Sequence, residues 1–525
     1  MNKVESHPDI GGRNAKFALA ILVVVYVFNF IDRQILSILA EEIQADLGIS
    51  DSGIGFLYGT AFAVFYSVVG IPLGRLADVW TRKNLISIGL ATWSFFTILS
   101  GTAKSFFFLA FYRIGVGIGE SSASPSAYSL LSDYFSPKVR TTVLAIYSSG
   151  VYIGSGIGLF LGGAIVEYWS TLFPDPSMAP FGIRGWQAAF IAVGLPGLLL
   201  ALVTWRSKEA KRGLSDGIET TQHPHPFKEM LKEMIGLTPF SLMGQEKLAK
   251  NLVVNFSIAL LIFTFCSFLT SRTGDIEQWV AFGIGCYFIA CWIQRLRVRD
   301  PEIISVIFRS KAHLFCLLGL PFIPFVQYAH GAFQPIFYLR NHGVEILEVG
   351  TVLGLFTAVG GLLGIVTGGL LGDKLRENYP NGRLYLIMGI TLMIAPTSLL
   401  YLYVENLYFS YFWNFAFSFI APMWLGLGVS TIADLVLPRM RAIAGAFFIL
   451  MLSMLGMALG PYLTGEVSDI LIAQGVDDGE SIRTALALCT CVLVITIGCL
   501  LNACRYLPEE EKNKIEIARS YGEPI

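Results

Sequence analysis

Apolar stretches recur along the chain with short polar punctuation between them. They fall near residues 17–40, 53–73, 84–102, 106–131, 141–168 and 187–205, then near 250–271 and 278–294. Six more follow, near 313–339, 347–372, 384–404, 407–436, 442–465 and 485–504. Each approaches or exceeds the roughly 20 residues that carry a helix across a bilayer core. Only a helix or a closed barrel satisfies its backbone there, and continuous apolar runs of this length indicate helices. The pattern therefore predicts an all-α polytopic membrane protein with six, two and six spans.

Charge placement orders these spans. The gaps EEIQADLGISD, FPDPSMAPFGIRG and GEVSDILIAQGVDDGESIR are poor in Lys and Arg. The alternate gaps carry RLADVWTRK, SPKVR, RLRVRD with FRSK, DKLRENYPNGR and PRMR. The positive-inside rule then places both termini and the polar stretch 206–249 in the cytoplasm, provided that both or neither of the segments in 250–294 span. Spanning is the reading taken. The N-terminus lacks a small-residue cleavage site after its apolar run, so that run is expected to remain as the first transmembrane helix.

Composition agrees with a membrane protein. Of 525 residues, 54% are hydrophobic and only 14% charged, against about 25% in soluble domains. A net charge of −1 argues against a nucleic-acid partner. The eight cysteines lie in or beside apolar segments without a CxxC, as packing residues do. Within 206–249, Phe227, Met230, Leu231, Met234 and Ile235 form an amphipathic stripe. It suits a helix lying on the membrane surface or one packed on the cytoplasmic ends of the bundle.

The chain also repeats itself. Gly74-Arg-Leu-Ala-Asp78 recurs as Gly369-Leu-Leu-Gly-Asp373, and Asp133-Tyr-Phe-Ser-Pro137-Lys-Val-Arg140 recurs as Asp434-Leu-Val-Leu-Pro438-Arg-Met-Arg441. Both recur at nearly one offset and at equivalent places in two six-helix blocks. This indicates parallel halves, a transporter plan with its substrate site near the midplane. The expected organisation is an N-terminal bundle over 1–205, a linker with an amphipathic helix over 206–249 and a two-helix insert over 250–297. A C-terminal bundle over 298–505 and a cytoplasmic tail over 506–525 complete it.

Gly74-Arg-Leu-Ala-Asp78-Val-Trp-Thr-Arg82-Lys83 resembles the loop signature of the major facilitator superfamily, and Arg113-Ile-Gly115-Val-Gly117-Ile-Gly119 resembles its fourth-helix signature. Asp32-Arg33 with Arg113 and Gly119-Glu120-Ser121 resembles the Spinster branch. The resemblance implies an alternating-access secondary transporter with lipid-like substrates such as lysophospholipids or sphingoid compounds, responsive to protons in bacterial members. One departure stands out. Exporters of the superfamily often carry Gly-Pro in helix 5, whereas here Gly154-Ser-Gly156-Ile-Gly158 runs without proline and Gly460-Pro461 sits in helix 11.

Four constellations are candidates for function. Asp32 and Arg33 interrupt the first apolar span, where each charge costs about 2.5–3.5 kcal/mol on insertion scales. Counting depth places Arg113 level with Asp32, so these two are expected to pair, with Glu120 two turns deeper. Two acids and two bases sum to zero, compatible with burial as a proton switch or as a static network. The second is a gating set: Gly74, Asp78, Arg82, Lys83, Asp133 and Arg140 in the first half, with Asp373, Arg376, Asp434 and Arg441 in the second. By resemblance these latch the cytoplasmic side, while their Lys and Arg also serve topology.

The third is the stripe Gln327, His330 and Gln334 on one face of helix 7, suited to a polar headgroup or, through His330, to pH sensing. Tyr328, Phe333, Phe337, Trp413, Asn414 and Trp424 are candidate walls of a substrate site. The fourth is Ser121-Ser-Ala-Ser-Pro125, where proline removes a helix hydrogen bond and predicts a bend near Glu120. An enzyme would need a nucleophile–base pair or clustered ligands, but the six histidines are scattered without an HExxH. A phosphate loop of the GxxxxGKS kind is absent too, so ATP-driven pumping by this chain is not indicated. The expectation is a monomeric carrier in a bacterial inner membrane, without cofactor, moving a lipid-like molecule in response to protons. Drugs, sugars and organic anions are the alternative cargo.

Overall fold

The computed structural model describes residues 10–216, 223–243 and 248–520, and among them the regular structure is helical throughout. In chain order the helices are α1 (Arg13–Ile38), α2 (Ala40–Leu47), α3 (Asp51–Tyr58), α4 (Thr60–Val79), α5 (Arg82–Ser100), α6 (Phe106–Glu120), α7 (Ala123–Tyr134) and α8 (Pro137–Leu172). Next come α9 (Gly185–Arg206), α10 (Pro226–Gly236), α11 (Leu248–Thr273), α12 (Ile276–Arg299), α13 (Pro301–Arg309), α14 (Lys311–Gly319), α15 (Phe322–His342) and α16 (Ile346–Asn378). The last are α17 (Gly382–Tyr403), α18 (Leu407–Ile420), α19 (Leu425–Asp434), α20 (Arg441–Met451), α21 (Leu459–Ala473), α22 (Asp478–Cys489), α23 (Leu493–Lys512) and α24 (Lys514–Ser520).

Among the described residues, twelve helical stretches are long and apolar enough to cross a membrane, and both α11 and α12 are among them. The other two predicted segments fold as α5 and as the broken pair α6–α7. The break falls at Ser121-Ser122. Pro125 sits in the first turn of α7, where its missing N–H leaves fewer helix bonds unmade. Ser121 and Ser122 turn their hydroxyls back onto the carbonyls of Ile118 (2.7 Å) and Gly119 (2.9 Å).

The described residues form two compact units. One contains Met1–Ile49, Phe65–Ile235 and Glu345–Gly354, and the other Ser50–Val64, Gly236–Val344 and Leu355–Ile525. Chain order is not respected: α3 and the start of α4 belong with C-terminal helices, and the first turns of α16 with N-terminal ones.

In the first unit α1 lies along α8 through a stripe of glycines four residues apart, Gly150, Gly154, Gly158 and Gly162. A Cβ on Gly154 would stand 2.4 Å from the Val27 carbonyl oxygen, and one on Gly162 2.4 Å from Ile38 Cγ2. Small residues at this spacing let two backbones approach where lipid supplies no hydrophobic drive. Gly154→Val is therefore expected to destabilise the protein by about 1–3 kcal/mol or more, as overpacking does. A lower thermal unfolding midpoint in detergent would register it. Gly445→Ala, whose Cβ meets nothing within 4 Å, serves as the control and leaves the midpoint unchanged or higher.

In the second unit α3 packs on α21 at similarly short range, with Gly465 set against the Asp51 carbonyl. Asp469 caps α3 by accepting from the backbone N–H of Asp51 (3.0 Å) and Ser52 (2.8 Å), satisfying helix-start donors that would otherwise be orphaned. The Asp51 side chain is buried and takes Arg340 (3.1 Å) and Ser468 (2.6 Å). The α11–α12 pair is closed by Asn255, which donates to Gln294 (2.8 Å) and accepts from Tyr287 (2.8 Å).

Candidate functional site

The charges of α1 are buried in the first unit. Asp32 and Arg113 are each 1% exposed and Glu120 is fully buried. Their pairing differs from the Asp32–Arg113 contact that depth alone suggests. Arg113 Nη1 donates to the backbone carbonyl of Asp32 at 3.1 Å, and the ion pair of the set joins Arg33 Nε to Glu120 Oε2 at 2.6 Å. Azimuth is the reason. Consecutive helical residues point about 100° apart, so Asp32 turns toward Trp93 and Thr97 of α5 while Arg33 turns toward α4 and α6. The Arg33 guanidinium lies over the rings of Phe30 and Tyr66, 4.7 Å from each centroid.

This arrangement leaves acceptors over. Asn29 Oδ1, Asp32 Oδ1 and Glu120 Oε1 are buried and accept no hydrogen bond among the described residues. Each such group costs about 1–3 kcal/mol. Beside them stands an aromatic cluster. Tyr26 stacks on Tyr147 with centroids 4.3 Å apart, and Tyr128 meets Tyr147 edge-on at 5.4 Å.

At the end of α4, Arg82, Lys83, Asp133 and Arg140, expected from the sequence to gate, form a dense network. Arg82 is fully buried. It pairs with Asp133 and donates to Glu209 (2.8 Å), to Ser129 (3.0 Å) and to the Ala210 carbonyl (2.7 Å). Glu209 also accepts from the backbone N–H of Lys83 (3.0 Å), so it caps α5. Lys83 Nζ closes the end of α9 on the carbonyls of Trp205 (2.9 Å) and Ser207 (2.7 Å). Arg140 reaches Ser215 and Asp216, both at 2.8 Å, and Arg212 covers the carbonyls of Ala77 (2.5 Å) and Trp80 (2.6 Å) at the end of α4. The segment after α9 is thus a strap laced through Arg82, Lys83, Asp133 and Arg140. Asp78 stays exposed, near Arg75 and Arg212.

The second unit has a sparser version. Arg383 pairs with Asp434 (2.5 Å) and more distantly with Asp373 (3.7 Å). Arg376, expected among the gating charges, pairs instead with Glu511, and Arg441 donates to the Ala433 carbonyl at 3.3 Å. Arg82 to Asp133 and Arg383 to Asp434 are each 51 positions apart. Arg383 is thus the repeat of Arg82. The longer loop before it, ENYPNG, hides the match from a motif search anchored on Asp373. A Cβ at Gly74 or Gly369 would meet nothing within 4 Å, so packing in this conformation does not explain either glycine.

The helix 7 stripe lies on α15. Gln327 donates to the Ala421 carbonyl and accepts from Trp424 Nε1 at 3.1 Å. His330 is fully buried and bonded through Nδ1 to the Tyr401 hydroxyl, while its Nε2 has no hydrogen-bond partner among the described residues. Nearby, Tyr338 bonds Ser410 at 2.9 Å. Gln334 Nε2 and both side-chain polar atoms of Asn414 are buried without a partner among the described residues. Phe333 and Phe337 are fully buried, whereas Tyr328 and Trp413 are partly exposed.

Residues 22–461 match the family model described as Major Facilitator Superfamily. The chain belongs to that superfamily. It is a transporter, a multi-pass integral membrane protein rather than an enzyme. Within the superfamily its likeness runs to the Spinster branch. It is 26% identical to human Protein spinster homolog 1 over 467 residues, covering 88% of this chain and 74% of that protein. An MFS-type efflux pump of Mycolicibacterium smegmatis is 27% identical over 466 residues, covering 88% of this chain and 86% of the pump. A crystal structure of a bacterial homologue of the human lysosomal transporter Spinster, inward-facing and occupied, superposes with a TM-score of 0.70 at 24% identity. It covers 96% of this chain and 99% of that one.

For a major facilitator transporter, several of the residues that organise these clusters escaped the sequence reading. Tyr26 and Phe30 share one face of α1 with Arg33 at i, i+4 and i+7, a signal available in the sequence. Glu209 and Arg212 gave none, because they lie in a polar stretch without periodicity.

Proposed function

We propose that this transporter moves a lipid-like or amphipathic small molecule by alternating access and that protonation in its N-terminal half biases the cycle. The single observation behind the proton reading is the set of buried acceptors without donors: Asn29, Asp32 and Glu120 beside the Arg33–Glu120 pair. A proton on Asp32 or Glu120 supplies the missing donor, and on Glu120 it also weakens the hold on Arg33. In this reading Asp32, Arg33, Arg113 and Glu120 are the switch. Gln327, His330, Gln334 and Asn414, with Tyr328, Phe333 and Trp413, serve recognition, the orphaned amides of Gln334 and Asn414 being the strongest of these. Gly74, Asp78, Arg82, Lys83, Asp133 and Arg140, with Asp373, Arg376, Asp434 and Arg441, gate the cycle. The open faces of Gly74 and Gly369 support this, since they are suited to a close approach in another conformation.

The proposed setting is a monomer in a bacterial inner membrane with both termini cytoplasmic, two six-helix halves and α11–α12 as an insert. The lipid-like cargo rests on the Spinster likeness, and the likeness to an efflux pump favours a second reading in which drug-like amphiphiles are exported. Thermal stabilisation of the purified protein, screened over lysophospholipids, sphingoid bases, amphipathic drugs and sugars, separates them. The expected result is a saturable rise in melting midpoint with a lysophospholipid or sphingoid base, confirmed by counterflow in liposomes with and without a pH gradient. Stabilisation and counterflow by drugs or sugars alone would overturn the lipid assignment. Transport indifferent to the pH gradient and to pH would overturn the proton assignment.

A further inference from the structure

We infer that α10 is a membrane-surface helix that binds anionic phospholipid head groups of the cytoplasmic leaflet and is tethered to the gating loop. The choice of leaflet rests on the topology proposed above. Part of the apolar stripe of α10 is moored: Met230 packs on the cluster of Leu76, Ala77 and Leu85, and the Phe227 ring lies 5.1 Å from that of Trp80. Glu229 accepts from Arg75 (3.2 Å), a residue of the Gly74–Asp78 motif, and from Lys232 (2.6 Å). These two hydrogen bonds, that from Lys232 foremost, hold the Glu229 carboxyl below its ordinary pKa, so the tether stays ionised as pH falls.

The rest of the same stripe is only half covered by the described residues. Leu231 is 52%, Met234 45% and Ile235 42% exposed, three neighbouring apolar side chains on a helix of three turns. Because α10 is docked on the end of a spanning helix, α4, that stripe lies at the depth where head groups meet acyl chains. Charge selects which lipid. Three acids of the two polar segments are neutralised in ion pairs, Glu209 with Arg82, Glu229 with Arg75 and Asp216 with Arg140. Lys208, Lys211 and Lys228 are left exposed on the outside. Half-exposed apolar side chains on a helix that carries Lys228, with Lys208 and Lys211 exposed on the preceding segment, match an anionic interface, each lysine contributing attraction that falls off within a Debye length.

Hydrogen exchange of the full protein in lipid nanodiscs tests this. The amides of residues 227–235 are expected to exchange about tenfold or more slowly in equal parts phosphatidylglycerol and phosphatidylcholine than in phosphatidylcholine alone, well within what three lysines supply. The difference is expected to vanish in the Lys208→Gln/Lys211→Gln/Lys228→Gln variant, whose melting midpoint should match the parent because all three side chains are exposed. Equal exchange in both discs, or a difference that the triple variant retains, would overturn the assignment. Failure of the topology reads differently: a membrane-impermeant amine reagent applied to sealed cells would then modify Lys228, whatever the exchange result.

Discussion

Asp32→Asn is expected to flatten the pH dependence of transport at the level that the parent protein reaches in acid. The amide matches the protonated acid in shape and charge, so the switch is held in one state. Asp32 is buried beside Trp93 and Thr97, its Oδ1 accepts no hydrogen bond, and it is in none of the ion pairs of the set, so the substitution breaks no ion pair. Glu120→Gln acts differently, because Glu120 does hold Arg33 at 2.6 Å. A charge-assisted hydrogen bond of this kind is worth about 1.5–3 kcal/mol. Its weakening shifts a two-state conformational balance by about ten- to a hundredfold, provided that the pair exists in only one state. Transport into liposomes over a series of pH values, with each variant shown to be folded by its melting midpoint, distinguishes them. If both variants keep the parent's pH profile, the four residues are a static network that makes two-charge burial tolerable and nothing more.

Arg82→Met should be among the most destabilising single changes in the chain, whereas Arg383→Met at the repeated position should be mild. The two arginines hold equivalent partners, yet their surroundings differ. Arg82 is fully buried and binds Asp133, Glu209, Ser129 and the Ala210 carbonyl. Removing it takes the guanidinium from Asp133, whose side chain is only 12% exposed, and opens a fully buried polar site, a loss of up to about 3 kcal/mol. The Arg383 side chain is 18% exposed and that of Asp434 37%, so water re-solvates what the mutation uncovers and the loss is about 1 kcal/mol or less. Thermal unfolding in detergent compares them directly. Similar midpoints for the two variants would show that the network around Arg82 is not the brace that its burial implies. Replacing Asp133 with Asn in the Arg82→Met background should recover part of the loss, since it removes the charge left without that guanidinium.

Much of this was visible in the chain before any tertiary contact was known. Apolar runs longer than a bilayer is thick leave no alternative to helices, so the helical class and the multi-pass architecture follow from local physics. A repeated motif records the internal duplication without reference to shape. The amphipathic stripe of α10 was equally plain. What it lies against was not, because a stripe at 3.6-residue spacing specifies that a face is apolar and leaves its partner open.

Side-chain partnership is where the linear reading ran out. Depth along a helix is a count of residues at 1.5 Å each, and it correctly brought Arg113 to the level of Asp32. Which acid an arginine meets depends on helix rotation and on which neighbours stand at that azimuth. So the ion pair fell to Arg33 and Glu120, and Arg113 went to a carbonyl. Likewise, an anchor on Asp373 pointed to Arg376, whereas Arg383 holds the position, because a loop of different length moves the arginine along the sequence without moving it in space.

The sequence by itself determined the helical membrane class, the superfamily, the internal repeat and the inventory of charges placed in apolar surroundings. These depend on runs, periods and motifs that every segment carries on its own. Tertiary structure alone decided which charges pair, that His330 bonds Tyr401, and that the strap after α9 binds Arg82 and Arg140. It also decided that α3 is capped by Asp469, 417 positions beyond Ser52. Such contacts join residues far apart in the chain, and their geometry is set by the packing of whole helices.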